Sequence, residues 1–258
     1  KEASKFPWHY DSIEECLILE GEVTVEASNQ KVTFGPGDLV TFPEGLSCKW
    51  HVNKAVRKHY RVVILTLIGD YRNWAPIGDS HRELLSGTTA ISKEYGVEMR
   101  YLDFRTHQFD VGLDTKRAVA EVVAELAPDV AFLLWRDDHH DDHVVASRLS
   151  EIALQFASPV LDKKPARPPR AMYWFDNGPR HTIGFEPDTF VDITAEWDRA
   201  IEWLGRFMAL VRNEPYQGGT LDGAQQTKEA LALYRGKTAG VRYAEALRSL
   251  HRQPQDIL

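Results

Sequence analysis

Cysteine is nearly absent: Cys16 and Cys48 are the only two in 258 residues. Two thiols cannot build a disulfide framework, and their scarcity points to a reducing, cytoplasmic setting. Long hydrophobic runs are missing as well. The longest, residues 62–68, is far too short to span a bilayer, so no membrane partner is expected. Nor is there an excess of basic charge: 31 Lys and Arg against 38 Asp and Glu give a net charge of −7, which disfavours a polyanion binder and with it nucleic acid. The chain opens on Lys1 instead of Met, and Lys5, His9, Asp11, Glu14 and Glu15 interrupt any signal-peptide apolar core, so the text is expected to start inside a longer or processed product. Low-complexity tracts and internal repeats are also lacking. What remains is 43% apolar and 27% charged residues, the balance of a folded protein long enough for one large or two ordinary domains.

Two stretches follow different rules. Residues 1–61 read as all-β, with short β-prone runs at 16–19, 23–26, 31–34, 39–42 and 48–52. Turn signals separate them: Glu20-Gly21, Ser28-Asn29, Gly35-Pro36-Gly37-Asp38 and Pro43-Glu44-Gly45. Many short strands with Gly/Pro turns predict a small barrel or sandwich. From Val62 onward, continuous apolar runs at 62–68 and 129–135 alternate with helical patterns. Residues 114–126, capped by Asp114, and 143–157 have helical periodicity, as do 195–211, 226–234 and 241–250. Residues 170–175 read as a further strand, and 163–170 as a basic, proline-rich surface connection. Such alternation predicts a layered α/β domain over 62–258, with a mostly parallel sheet and its site at the carboxyl ends of the strands.

In the first stretch, Glu14 stands seven residues before Gly21, and Gly37-Asp38 precedes Pro43-Glu44-Gly45. These motifs resemble the small single-domain cupins. The resemblance implies a β-barrel and, in metal-binding members, a ligand set of histidines and a glutamate. His9 and Glu14 fall on two of those positions, Pro7 replaces one histidine, and Cys48 stands where another is expected. Cys48 suits a thiolate ligand or a small buried hydrophobe equally. The barrel is therefore expected to hold no catalytic metal, and a sugar is a candidate ligand.

The strongest chemical signal is Arg136-Asp137-Asp138-His139-His140-Asp141-Asp142-His143, directly after an apolar strand and before a helix. Histidines three apart at a helix entrance face one side, and flanking carboxylates can orient their rings. The set suits a divalent metal, zinc in the first instance. The plainer alternative is a solvated acidic loop with Asp142 as helix cap.

With this cluster the second stretch resembles the PIG-L/LmbE family of zinc-dependent N-deacetylases over residues 62–250. Supporting blocks are Tyr101-Leu102-Asp103-Phe104, Pro128-Asp129-Val130 leading to His140 and Asp142-His143, Phe185-Glu186-Pro187-Asp188, and Tyr234-Arg235-Gly236 with Gly240-Val241-Arg242-Tyr243. The resemblance implies a Rossmann-like fold and a bound Zn2+. It makes His143 a metal ligand, His140 the group that stabilises the oxyanion, Asp142 a catalytic carboxylate orienting a ring, and Asp138 a supporting partner. Asn177, Arg180 and His181 would contact substrate. Tyr173 and Trp174 suit a pocket wall or strand packing. The substrate implied is a small N-acylated amino sugar or conjugate, and a homo-oligomer is a family-level expectation.

The sequence departs from the family at one place. The family's first motif, His-Pro-Asp-Asp-Glu, supplies the general base and two further metal ligands from the end of a central strand, and it does not occur here. Its place is taken by Lys58-His59-Tyr60-Arg61 abutting Val62. An internal segment omitted at this join is the favoured explanation. A cupin strand in the central place and a remodelled pseudoenzyme are the others. A non-catalytic sugar-binding or regulatory protein, with the cupin as sensor, is the alternative function.

Overall fold

The computed structural model describes residues 3–10, 13–28, 30–162 and 166–250, so the first three residues of the basic, proline-rich connection and Asn29 of one turn lie outside the described residues. Contacts divide the chain into two compact units, residues 1–63 with 96–98, and residues 64–95 with 99–258.

The first unit is a single sheet of five strands: β1 (Ser4–His9), β2 (Glu14–Ala27), β3 (Gln30–Phe34), β4 (Leu39–Phe42) and β5 (Ser47–Tyr60). They run in the order β1-β5-β2-β3, with β4 also pairing β2, and every ladder is antiparallel. The two runs expected at 16–19 and 23–26 are one long strand, bent where its register against β5 shifts between Ile18 and Val23. Gly21 makes the bend possible. Its φ is +89°, and a Cβ there would sit 2.1 Å from the Ala55 carbonyl oxygen. Alternate residues point inward onto a core that includes Ile18, Val23, Phe34, Phe42, Trp50 and Val52.

After the five barrel strands the chain alternates strands and helices. In chain order these are β6 (Val62–Asp70), α1 (His81–Glu94), β7 (Val97–Arg105), α2 (Leu113–Leu126), β8 (Val130–Leu134), α3 (Asp141–Leu161), β9 (Ala171–Phe175), β10 (Thr189–Asp192), α4 (Trp197–Arg212), α5 (Gly223–Ala239) and β11 (Ala244–Ser249). Three sequence expectations need correction. Residues 241–250 hold strand β11 (Ala244–Ser249) and no helix. Their alanines have helix propensity, but Gly240 in the left-handed region stops α5 and pairing on both sides fixes an extended chain. Asp114 lies inside α2, which is capped at Gly112. The sheet β10-β11-β9-β8 is mixed and not mostly parallel: only β8–β9 is parallel, because β11 returns from α5 against the direction of both neighbours.

β6 and β7 form a separate two-stranded sheet. Leu65, Leu67, Leu102 and Phe104 still join the core made by α2, α3, β8 and β9, in which Val119, Leu133, Leu149, Ala153 and Trp174 are buried. A second, smaller core gathers Trp197, Ile201, Ala232 and Tyr243. Among the described residues β8 has a strand partner on one side only, so its outer edge is open. Its sequence is apolar on both faces, as in strands buried on both sides. Yet Val130 is 40% and Phe132 60% exposed, the latter stacked only on Tyr173 at 5.9 Å. Tyr173 and Trp174 thus serve strand packing, since Trp174 belongs to the core. No helix among the described residues is long and apolar enough to cross a membrane.

An open apolar edge is a template for association. Phe132→Lys should lessen concentration-dependent self-association in analytical ultracentrifugation while changing unfolding free energy by no more than about 0.5 kcal/mol, as at other exposed positions. A loss of several kcal/mol would mean that Phe132 packs in a core.

Candidate metal centre

The chain ends β8 at Leu134, and α3 begins at Asp141. Ser147 in the second turn of α3 donates its hydroxyl to the Leu134 carbonyl at 2.7 Å, which pins the helix start against the strand end. His140 caps α3, so Asp142 stands in its first turn and is not the cap. Proline at 159 removes a backbone donor from the same helix, and Phe156 leaves helical geometry at the resulting kink, far from the site.

The intervening loop folds around the Asp138 carboxylate, whose side chain has no solvent exposure. Oδ1 accepts the His140 amide at 2.7 Å; Oδ2 accepts the Asn177 amide at 2.6 Å and lies 2.9 Å from His143 Nδ1. Burial would raise the Asp138 pKa, but hydrogen bonds from the His140 backbone, His143 and Asn177 hold it below the ordinary carboxylate range. An ionised carboxylate only accepts, so the His143 proton sits on Nδ1 and Nε2 keeps a free lone pair. The ring is therefore oriented by Asp138 and not by Asp142.

Asp142 is also buried, but it faces the loop after β7. It accepts the Thr106 hydroxyl and, at 2.8 Å, the His107 amide. His107 has φ +56°, a left-handed conformation unusual for a residue with a Cβ. Its ring stacks on His140 at 4.9 Å, His140 stacks on His143 at 4.7 Å, and His143 lies 5.0 Å from His181. Two donor groups result, each with its ligand atoms within 4.8 Å of one another: His107, His140 and Asp142, and Asp138, His143 and His181. Nδ1 of His140 is buried without a hydrogen-bond partner, as an orphaned ligand atom would be, and Nδ1 of His181 lies 3.5 Å from Asp138 Oδ1. The His140 pKa is lowered, by burial first and by the neighbouring His143 second, so its ring is neutral near pH 7. The donor set is nitrogen and oxygen, which fits a divalent cation such as zinc.

Of the residues singled out in the sequence, the fold brings together Asp138, His140, Asp142, His143, Asn177 and His181. Asn177 is a scaffold residue: besides Asp138, its side chain bonds both the Trp135 amide and the Trp135 carbonyl. Arg180 lies exposed on the turn carrying His181. Thr106 and His107 went unrecognised in the sequence, and their one signal was their place directly after a strand. The turn from Asp176 to His181 is held from behind. Asp176 accepts the Gly178 amide at 3.0 Å, the Thr182 hydroxyl at 2.8 Å and Arg235 at 2.6 Å.

In the first unit, Glu14 faces Lys58, His9 Nδ1 lies 2.8 Å from the Ser47 hydroxyl, and the Cys48 thiol is buried with its pKa pushed up by desolvation. Residues 1–60 match the family of EutQ-like cupin domains. They form an EutQ-like cupin domain. A DUF861 family protein from Thermotoga maritima is 53% identical over 24% of this chain and 70% of its own, with a TM-score of 0.23. The cupin stretch is followed by a fold shared with two enzymes. GalB, the 4-carboxy-2-hydroxymuconate hydratase from Pseudomonas putida KT2440, is 18% identical over 77% of this chain and 88% of its own, with a TM-score of 0.58. The N,N'-diacetylchitobiose deacetylase from Pyrococcus horikoshii is 16% identical over 76% of this chain and 77% of its own, with a TM-score of 0.54. No curated protein matches the sequence.

The Asp176–Arg235 pair is nearly buried at both ends. Removing one partner of such a pair leaves the other uncompensated, so Asp176→Asn should lower stability at pH 7 by about 3 kcal/mol in urea unfolding. The Asp176 pKa is depressed in the folded protein: burial opposes this, and Arg235 with the loop donors outweighs it. Its contribution is thus present above the unfolded value of about 3.9 and is lost as pH falls through the folded value. The gap between wild type and variant should narrow as pH falls below that unfolded value, and a constant gap would contradict this assignment.

Proposed function

We propose that the second unit is a zinc-dependent N-deacetylase that hydrolyses an N-acyl group, N-acetyl in the first instance, on a small amino sugar or sugar conjugate. One observation carries this reading: the His143 ring, fixed by Asp138, presents its Nε2 at the carboxyl end of β8, beside the orphaned Nδ1 of His140 and the His181 ring, whose Nδ1 also faces Asp138. The deacetylase fold likeness and the blocks matching that family support the reaction class. His143 and His181 would hold the ion, with Asp138 behind them. Bound there, zinc would polarise the acyl carbonyl and lower the pKa of a water molecule.

The chain's own share is orientation and charge stabilisation. Asp138 sets the His143 tautomer, and Asn177 holds Asp138 in place. His140, neutral at pH 7, has one N–H to donate toward the oxygen anion that forms when water attacks the amide. Asp142 anchors the loop of Thr106 and His107 to α3 and so fixes the ring stacked on His140. Arg180, exposed on the turn carrying His181, would meet a polar substituent of the sugar.

A second reading has its own support. The two buried carboxylates of the cluster, Asp138 and Asp142, are engaged in hydrogen bonds within the protein, so neither is a free general base. A non-catalytic protein that binds metal and sugar would look the same.

Metal stoichiometry and release of acetate from N-acetylglucosamine-type substrates separate these readings. His143→Ala should lose metal and activity together. His140→Ala should keep metal while turnover falls by about 10²–10³, the usual cost of an oxyanion donor. Metal binding without turnover in the wild type would favour the second reading. Full activity in His143→Ala would remove the cluster as the site.

A further inference from the structure

Besides the histidine cluster, the second unit holds a cavity of about 480 Å³, inside the range of roughly 300–1,000 Å³ usual for small-molecule sites. Its walls come from the loop after β8 (Trp135 and Arg136), the middle of α3 (Glu151 and Gln155), β9 (Trp174) and β11 (Arg248). None of these side chains belongs to the two metal-ligand groups. Strand register accounts for two of them. Arg248 stands opposite Trp174 on the neighbouring antiparallel strand, so both side chains share one face of the sheet.

The two indoles meet edge to face at 5.8 Å, and they differ in one respect. The Trp135 N–H donates to the Ile183 carbonyl at 2.8 Å, whereas the Trp174 N–H is buried and has no acceptor among the described residues. Such a donor lowers stability unless something supplies an oxygen. Arg136 lies over the Trp174 ring at 4.1 Å, and among the described residues no carboxylate pairs with it. Packing on the ring face holds the guanidinium while its N–H edge remains able to donate. Arg248 uses part of its donor capacity on the Glu186 carbonyl at 3.1 Å and lies 3.7 Å from Asp188. The one acid in the wall, Glu151, lies 3.5 Å from Arg148, which offsets its charge.

We propose that this cavity binds a small organic anion through a carboxylate or phosphate head, independently of the deacetylase reading. An indole N–H without an acceptor, an unpaired guanidinium and a second guanidinium with further N–H groups are all donors, so the wall calls for acceptor oxygens. A guanidinium edge meets two oxygens of one head group at once, and such charge-assisted bonds are the strong ones. The volume exceeds what a bare ion fills, and Trp135 and Leu250 offer apolar surface to the rest of the molecule. A cation would find Glu151 alone, already beside Arg148. A neutral ligand would leave the Arg136 charge unanswered.

The test is isothermal titration calorimetry on the full chain stripped of metal, so that no cation at the histidine cluster can hold an anion. The probes are glycerol 3-phosphate, glucose 6-phosphate, glutarate and citrate, with glucose and ethylammonium chloride as neutral and cationic controls. At least one anion should bind saturably at one site per chain, and neither control should. Binding by the phosphate esters or by the carboxylates supports the proposal equally and tells the two head groups apart. Arg136→Met, a change at an exposed residue that keeps an apolar chain on the indole, should weaken that binding by about tenfold or more. Glu151→Gln removes the one negative charge from the wall and should tighten it by about threefold or more, a gain that misfolding cannot produce. Failure of all four anions would overturn the assignment. So would saturable binding of glucose or ethylammonium with none of the anions, or anion affinities that Arg136→Met and Glu151→Gln leave unaltered. Each of these outcomes leaves metal binding and turnover at the histidine cluster to be decided separately.

Discussion

The Asp138 carboxylate, shielded from solvent, accepts the His140 amide, the Asn177 side-chain amide and the His143 ring. These three donors come from the loop after β8, the loop after β9 and the first turn of α3. One buried charge therefore sets the distance between two strand ends and a helix. Without its donors it would be an uncompensated ion in a low-dielectric interior, which proteins do not tolerate at ordinary net stability. With them, its pKa falls and the charge becomes the fixed point from which the histidine rings are aimed.

The rest of the cluster follows from that fixed point. His140 and His143 stand three apart at the entrance of α3 and so share a side. The turn from Asp176 brings His181 to the same place, braced by Arg235 on α5. Asp142 faces the other way and fastens the loop carrying His107. Four imidazoles then stand in a row whose ring centres are 4.7 to 5.0 Å apart. Within it, burial first and the neighbouring His143 second hold the His140 pKa below its ordinary value. Neutral rings are what a divalent cation requires.

Much of this was legible in the sequence where local chemistry decides the outcome. The barrel strands showed through alternation and Gly/Pro turns, and the cluster through an apolar run followed by seven acidic and imidazole residues. The unread parts depended on distant neighbours. The strand 244–249 is alanine-rich, and only its pairing with β9 and β10 makes it extended. Which carboxylate orients His143 could not be read either, since Asp142 is its neighbour in sequence and only the turn of the loop brings Asp138, five residues away, to its ring. His107 carries no local motif; a left-handed residue after β7 brings it over His140. Lys58 carries no local motif, and strand register places it opposite the buried Ile18. The omission of an internal segment at the Arg61/Val62 join, the expectation raised by the absent His-Pro-Asp-Asp-Glu motif, is a proposal.

The central claim is that a cation binds at the histidine row held by Asp138, and X-ray absorption at the zinc edge of the zinc-loaded full chain tests it most directly. The account predicts a shell of nitrogen and oxygen only, at about 2.0–2.2 Å, with the multiple-scattering signature of at least two imidazoles. A sulfur contribution at about 2.3 Å would place the metal on Cys16 or Cys48 in the barrel and contradict it.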